Sequence, residues 1–292
     1  MRVLVIGGSG LVGSNVVERS ASRGMTVRAT YLSSELDSAS VELDKTDPER
    51  TRSAIESYDP DLVVDTAAFH AVDDCETERD RAWSVNAAGT RNVAVAANDV
   101  GAHLVYLSTD YVFPGYPDET PYAESDRVAP INYYAETKYA GERAAGIAED
   151  ATVLRPSVVY GLASDNFVTW ALGELSDGNE LTIVDDQISA PTYAPDLAAA
   201  CLDVGEAGET GLYHATGPES VSRYEFTVAL ADGYGFDSDL VTSITTEEFG
   251  QDAPRPTDST LDSTALYETI GARFRAPSEA FEAMRSDERG ED

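Results

Sequence analysis

The chain has 292 residues, enough to bury a large core, and an apolar fraction of 42% marks it as globular. Its 53 acidic residues against 20 basic ones leave a net charge of −33, a surface that repels nucleic-acid phosphates and anionic lipid and so speaks against nucleic acid or a membrane as partner. Cys75 and Cys201 lie far apart without metal-ligand spacing, which reads as a free, reduced pair.

"RVLVI" from Arg2 reads as a buried strand, and "LVGSNVVERSASRG" as a helix ended by Gly24. "TVRATY" and "DLVVDTAA" are further strands, "DRAWSVNAAGTRNVAVAANDVG" is a long helical region and "HLVYLSTD" a strand. The helix "YYAETKYAGERAAGIAE" and the strand "ATVLRPSVVYG" follow. This alternation predicts an α/β fold, a Rossmann-type doubly wound parallel sheet. Beyond Gly161 the pattern loosens: "NFVTWALGEL" is a helix, "LTIV" a strand, "APDLAAACLDVGE" a helix opened by Pro195, "GLYHAT" a strand, "SRYEFTVALADGYG" a helix and "DAPRPTDSTLD" a loop. No repeat or low-complexity linker separates the two parts, so a smaller, partly interleaved C-terminal domain is expected to pack against the first and leave a ligand cleft between them. The expected division is residues 1–162 with roughly 187–216 for nucleotide binding, and roughly 163–186 and 217–285 for substrate. Residues 286–292 read as a flexible acidic tail. The apolar run at the start is too short for a signal peptide and no segment reaches membrane-spanning length, so a cytoplasmic location is expected.

"VIGGSGLVGSN" places Gly7, Gly10 and Gly13 between the first strand and the first helix. A turn without Cβ atoms lets the backbone approach a pyrophosphate, and the helix N-terminus offers free N–H groups. Both Gly7-x-x-Gly10-x-x-Gly13 and Gly8-x-Gly10-x-x-Gly13 fit, so the motif does not choose a Rossmann subtype. The second strand ends "TVRATYLSSE" with no acid at its tip to hold a ribose 2′-hydroxyl. Arg28, Ser33 and Ser34 lean toward NADP(H), while Glu35 keeps NAD(H) open.

Two of the 20 basic residues are lysines, Lys45 and Lys138, leaving 18 arginines. Such a charge opposes folding in dilute buffer, whereas in molar salt the Debye length shrinks to about 3 Å and screens it. Few lysines, many carboxylates and many alanines point to a salt-rich cytosol, and the composition resembles that of haloarchaeal proteins. A lysine retained in such a chain calls for a reason. Tyr134 and Lys138 stand four apart on a predicted helix and share a face. A phenol with a pKa of about 10 is a poor acid-base group at neutral pH, and an ammonium close by is expected to lower that value. The phenol can then give a proton to a carbonyl oxygen as hydride arrives. "STDYVF" puts the hydroxyls of Ser108 and Thr109 at a strand's carboxyl end, where ligands of open α/β sheets bind.

The glycine loop, "STDYVF", "YYAETKYAGE" and "VLRPSVVYG" together resemble the extended short-chain dehydrogenase/reductase superfamily. "STDYVF", "KYAGE", "DQISAPTYAPDLA" and "RPTDSTLD" are similar to its dTDP-4-dehydrorhamnose reductase branch, over residues 2 to about 261. The resemblance implies Thr109, Tyr134 and Lys138 as catalytic hydroxyl, proton donor and supporting lysine, with Lys138 also on the nicotinamide ribose. It implies Gly7, Ser9, Gly10, Leu11, Val12 and Gly13 at the pyrophosphate, Asp44 and Lys45 at the adenine, Ala67 and Ala68 on the ribose side and Pro156 beside the nicotinamide. Asp110, Tyr111, Asn166 and Phe167 would face the substrate. The implied reaction is hydride transfer from NADP(H) or NAD(H) to the C4 ketone of a nucleotide-linked 6-deoxyhexulose, a nucleotide-sugar substrate, and a homodimer stays open.

Three departures bear on the sugar. Val158 in "RPSVV" stands where an aromatic is usual, Asp258 where Asn is usual, and Phe69 and His70 depart in "TAAFHAVDDCE". His70 itself reads as a hydrogen-bonded residue of a loop or helix start. "DDCETERD" reads as a solvated helix face, with no metal expected. A sugar-nucleotide epimerase or dehydratase of the same superfamily, and a non-catalytic subunit resembling the regulatory subunit of methionine adenosyltransferase, which shares the proline after the strand arginine, are the alternatives.

Overall fold

Val3, Leu4, Val5 and Ile6 are all buried, as a strand covered on both faces requires. The computed structural model describes residues 1–35 and 40–290. The first half runs β1 (Arg2–Ile6), α1 (Leu11–Ser22), β2 (Thr26–Tyr31), β3 (Val41–Glu42), α2 (Pro48–Tyr58), β4 (Leu62–Asp65), α3 (Val72–Thr77), α4 (Arg79–Trp83), a π-helical turn (Ser84–Gly89), α5 (Thr90–Val100), β5 (His103–Leu107), α6 (Tyr133–Ala145) and β6 (Ala151–Arg155). Next come β7 (Val159–Tyr160), α7 (Phe167–Ser176), β8 (Leu181–Val184), β9 (Ile188–Ser189), β10 (Thr192–Tyr193), α8 (Ala194–Ala207) and β11 (Gly211–His214). The chain closes with β12 (Val221–Ser222), α9 (Arg223–Tyr234), β13 (Val241–Ile244), α10 (Thr246–Phe249), α11 (Thr264–Ile270) and α12 (Pro277–Arg289).

Seven parallel strands form the central sheet in the order β11-β6-β5-β4-β1-β2-β3. The order reverses beside β1, so the carboxyl ends of β1, β4 and β5 open on the crevice where doubly wound sheets bind ligands. One face packs Val3, Val5 and Val64 against Val16 of α1 and Leu197 and Cys201 of α8. The other packs Leu4, Ile6 and Tyr106 against Ile55 of α2 and Val93 and Ala97 of α5. A third core joins Val168, Leu175, Leu181, Phe226, Leu230, Phe281 and Met284 beyond the sheet.

The predicted strand "ATVLRPSVVYG" is two strands. Pro156 has no N–H for the ladder and Val158 takes φ 39°, so β6 stops at Arg155 and β7 pairs with β10 instead. Helix α6 ends at Ala145, capped by Gly146, four residues short of the predicted Glu149. The acidic tail expected from residue 286 is helical through Arg289, and Glu291 and Asp292 lie outside the described residues. Among the described residues no helix is long and apolar enough to cross a membrane.

Glycine sets how closely α6 can lie on its neighbours. A Cβ at Gly141 would overlap the Tyr106 hydroxyl and the Asn86 carbonyl, and neither can withdraw within the packed core. Gly141→Ala is therefore expected to cost about 1–3 kcal/mol through overpacking. Urea unfolding in molar KCl checks it; an unchanged midpoint would contradict this packing.

Candidate active site

The turn after β1 needs its glycines. Gly7 takes φ 82° and a Cβ there would sit 2.9 Å from the Ala67 side chain, while one at Gly13 would strike the Gly7 carbonyl. Helix α1 opens at Gly10 with no side-chain cap and no acid in its first turn, which leaves the first N–H groups, including those of Leu11 and Val12, for an anion. Ser9 and Gly10 lie at the open side of this turn. The cradle fits a dinucleotide pyrophosphate.

Lys45 does not line this surface. Its ammonium is buried and holds Asp65 (Oδ1 2.9 Å, Oδ2 2.8 Å) and the Ala67 carbonyl (2.6 Å) from beneath. The residue expected at the adenine thus fixes the end of β4, which presses Ala67 on Gly7, with Ala68 next along the chain. Asp44 is partly buried and turns one oxygen onto the Thr46 amide and hydroxyl. Arg28 also departs from expectation: it stacks 4.5 Å over Tyr58, whose hydroxyl donates to Thr26 O at the beginning of β2, so it is not at the strand tip where a 2′-phosphate would lie. Ser33, Ser34 and Glu35 follow that tip.

At the carboxyl ends of β5 and β6 the predicted trio meets. Asn132 caps α6, its Oδ1 accepting from the Ala135 amide, and the helix presents Tyr134 and, one turn on, Lys138. The Thr109 side chain lies close enough to the Tyr134 phenol to pull its pKa down. Lys138 is buried, donates to the Leu107 carbonyl at 2.6 Å and lies 4.5 Å from the Tyr106 ring centroid. The expected lowering of the phenol is reversed. Burial pushes Tyr134 well above 10, against the pull of the neighbouring Thr109 hydroxyl, and the same burial, reinforced by Lys45, brings Lys138 down to about 7.

The four residues expected to face substrate divide. Tyr111 sets its ring edge-on to Tyr134, with centroids 6.3 Å apart. Phe167 is half-buried beside Trp170. Asp110 is buried with both oxygens taken, Oδ1 by Thr109 and Oδ2 by Ser157 and Ser259, so it locks the strand ends and offers a substrate nothing. Burial raises its carboxyl and the three hydroxyls oppose that rise. Asn166 is the cap of α7: it accepts from the Val168 amide and donates to Gly161 O and Ser164 O, which commits its amide to the backbone. Pro156 is buried and its carbonyl accepts from the Asp110 amide at 3.0 Å. His70 is exposed in the loop before α3 and, among the described residues, makes no hydrogen bond. Asp258 caps its own loop at Thr260 N and accepts from Thr120.

Two arrangements lie outside the predicted set. Glu142, one turn past Lys138, receives a two-point ion pair from Arg155 (2.7 and 2.8 Å) and a 2.5 Å hydrogen bond from Ser108. Asp73 binds Arg255 at 2.8 Å and the Ala253 amide at 2.9 Å, tying the "RPTD" loop across to α3. The motifs "KYAGE" and "VLRP" contain the first pair, yet only the fold reveals that they meet.

The model of the RmlD substrate binding domain matches residues 1–289. The chain belongs to this family. One family relative is the spore coat polysaccharide biosynthesis protein SpsK of Bacillus subtilis, 36% identical over 91% of each chain. The dTDP-4-dehydrorhamnose reductase of Mycolicibacterium smegmatis is 35% identical over 90% of this chain and 78% of its own. Among solved structures, dTDP-4-dehydrorhamnose reductase of Bacillus anthracis, in complex with NADP, superposes with a TM-score of 0.89 at 31% identity, covering 98% of this chain and 99% of the other. The RmlD-family fold and the glycine cradle therefore agree with the resemblance read from the sequence.

The lowered Lys138 has a consequence in the cofactor-free protein. The unfolded chain keeps this proton up to about pH 10, the folded one releases it near pH 7, so the unfolded state binds more protons between the two. The contribution of this position to stability rises with pH across that window. Lys138→Met is expected to remove the rise, read as the difference in urea midpoint between wild type and variant at pH 7 and pH 9. A pH-independent difference would contradict it.

Proposed function

We propose that the chain reduces the C4 ketone of a nucleotide-linked 6-deoxyhexulose with NADPH or NADH, as a dTDP-4-dehydrorhamnose reductase does, in a salt-rich cytoplasm. The observation that carries this reading is the meeting of Thr109, Tyr134 and Lys138 beside the glycine cradle at the carboxyl edge of the sheet. Residues 1–162 with 187–216 would hold the coenzyme. Residues 163–186 and 217–285 would close over the sugar with Tyr111 and Phe167.

When bound, the coenzyme supplies the hydride. Gly7, Ser9, Gly10, Leu11, Val12 and Gly13 would hold its pyrophosphate, Asp44 would contact the adenine, Ala67 and Ala68 the ribose, and Pro156 the nicotinamide. Tyr134 is fully protonated at neutral pH because burial raises it, which suits an acid that must give its proton as negative charge develops on the C4 oxygen. Thr109 would give its single hydroxyl proton to the same oxygen, releasing the hydrogen bond it otherwise donates to Asp110. Lys138, anchored on the Leu107 carbonyl, would hold the nicotinamide ribose and offset the phenolate left after transfer. A dehydratase needs a free acid beside the catalytic hydroxyl, and Asp110, sealed by three hydroxyls, is a poor one.

Coenzyme oxidation with dTDP-4-dehydro-6-deoxy-L-mannose in molar KCl tests this. Tyr134→Phe is expected to lower kcat about 10²–10⁴-fold, the range of general acid catalysis, with NADPH affinity retained. Absence of turnover by wild type with any nucleotide-linked ketosugar would contradict the enzyme reading and favour the non-catalytic one.

A further inference from the structure

We propose that Arg223 is the residue that receives the diphosphate of the nucleotide-sugar substrate and so selects for a phosphorylated ligand. The inference rests on the reading of the substrate as a nucleotide sugar. Arg223 is the first residue of α9, a twelve-residue helix fixed at its start by Ser222, whose hydroxyl accepts from the Glu225 amide while the Glu225 carboxylate accepts from the Ser222 amide. The Arg223 amide donates to the Gln187 carbonyl at 3.2 Å, which joins α9 to the segment beside β9. The position of the guanidinium thus comes from rigid elements on the substrate side.

The guanidinium reaches toward the catalytic centre. Its Nη2 meets the Tyr111 hydroxyl at 3.4 Å, and Tyr111 in turn stands edge-on to Tyr134. Its other side lies 5.9 Å from the Phe167 ring centroid. Arg223 therefore sits between the two aromatic residues that face the cleft, separated from the reacting phenol by one ring, and it shares a small hollow with Val158 and Phe226.

It also has no ion-pair partner among the described residues, unlike Arg155, Arg255 and Lys45. Arg155 is committed to Glu142 and Arg255 to Asp73, while Lys45 is committed to Asp65. No carboxylate pairs with Arg223 among the described residues, although the chain carries 53 of them. The nearby Asp110 is enclosed by Thr109, Ser157 and Ser259. A half-buried guanidinium with a weak tyrosine contact keeps most of its five N–H donors for a ligand, and its planar fork matches phosphoryl oxygens. In molar salt charges act only over about 3 Å, so a diphosphate in the cleft would be recognised by a cation in direct contact with it, as Arg223 can supply.

Titration calorimetry on the NADP⁺-saturated protein tests the assignment, because the coenzyme fills the glycine cradle and leaves only the substrate side for an added diphosphate. At one fixed KCl concentration, wild type is expected to bind thymidine diphosphate at least about tenfold more tightly than thymidine, the scale of a charge-assisted hydrogen bond. Arg223→Gln is expected to erase that preference and Arg223→Lys to keep part of it, with thymidine and NADP⁺ affinities unchanged in both. Equal binding of diphosphate and nucleoside by wild type, or a preference that survives in Arg223→Gln, would overturn the proposal. Should Arg223→Gln lose NADP⁺ binding, Arg223→Lys carries the comparison, and a preference undiminished there would overturn it. No turnover is required, so absent reductase activity with an Arg223-dependent diphosphate preference would refute the reductase reading alone.

Discussion

The carboxylate of Glu142 holds the reactive side of the molecule together from below. It receives Arg155 from β6 and Ser108 from β5 while standing on α6, one turn beyond Lys138. Each partner is the chain neighbour of a residue at the site: Ser108 precedes Thr109, and Arg155 precedes Pro156. A buried ion pair recovers its desolvation cost only with good geometry and further hydrogen bonds, and here the fork is two-pronged with a hydroxyl as third ligand. The pair thereby fixes the mutual position of the hydroxyl, the phenol's helix and the strand end at Pro156. Gly141 and Asn86 serve the same packing, since Asn86 joins Phe69 to Thr137, the residue before Lys138.

Burial shapes the chemistry in a direction opposite to the simplest electrostatic expectation. A phenol next to a lysine suggests a lowered pKa, yet Lys138 donates a hydrogen bond to the Leu107 carbonyl and the phenol is dominated by desolvation. The resulting pair is a neutral acid and an easily discharged ammonium. That pairing suits reduction, where a proton must be delivered, better than oxidation, where one must be withdrawn.

Much of this was legible in the residues. The strands β1, β4 and β5 were plain because both faces are buried and their apolar runs are continuous, and the glycine turn was plain because Gly7 and Gly13 admit no Cβ. The spacing of Tyr134 and Lys138 survives folding intact. Other positions depended on three dimensions. The adenine contact that the resemblance implies for Lys45 fails because Asp65 and Ala67 hold its ammonium, which nothing in "LDKTD" reveals. Asp110 and Asn166 carry polar groups of the right kind, but Ser157 and Ser259 seal the first and the start of α7 consumes the second. The break at Pro156 and the positive φ of Val158 escaped a periodicity that counts apolar residues and not ladder donors.

The central claim is that a hydride passes directly from the coenzyme to the sugar's C4 while Tyr134 protonates the oxygen. NADPH deuterated at its transferable position, incubated with the nucleotide-linked 4-ketosugar in molar KCl and followed by NMR of the sugar product, tests this most directly. The predicted result is deuterium at C4 of the product, one per coenzyme oxidised. Deuterium retained on the coenzyme while solvent hydrogen enters the ring at C3 or C5, as an epimerase would produce, would contradict it.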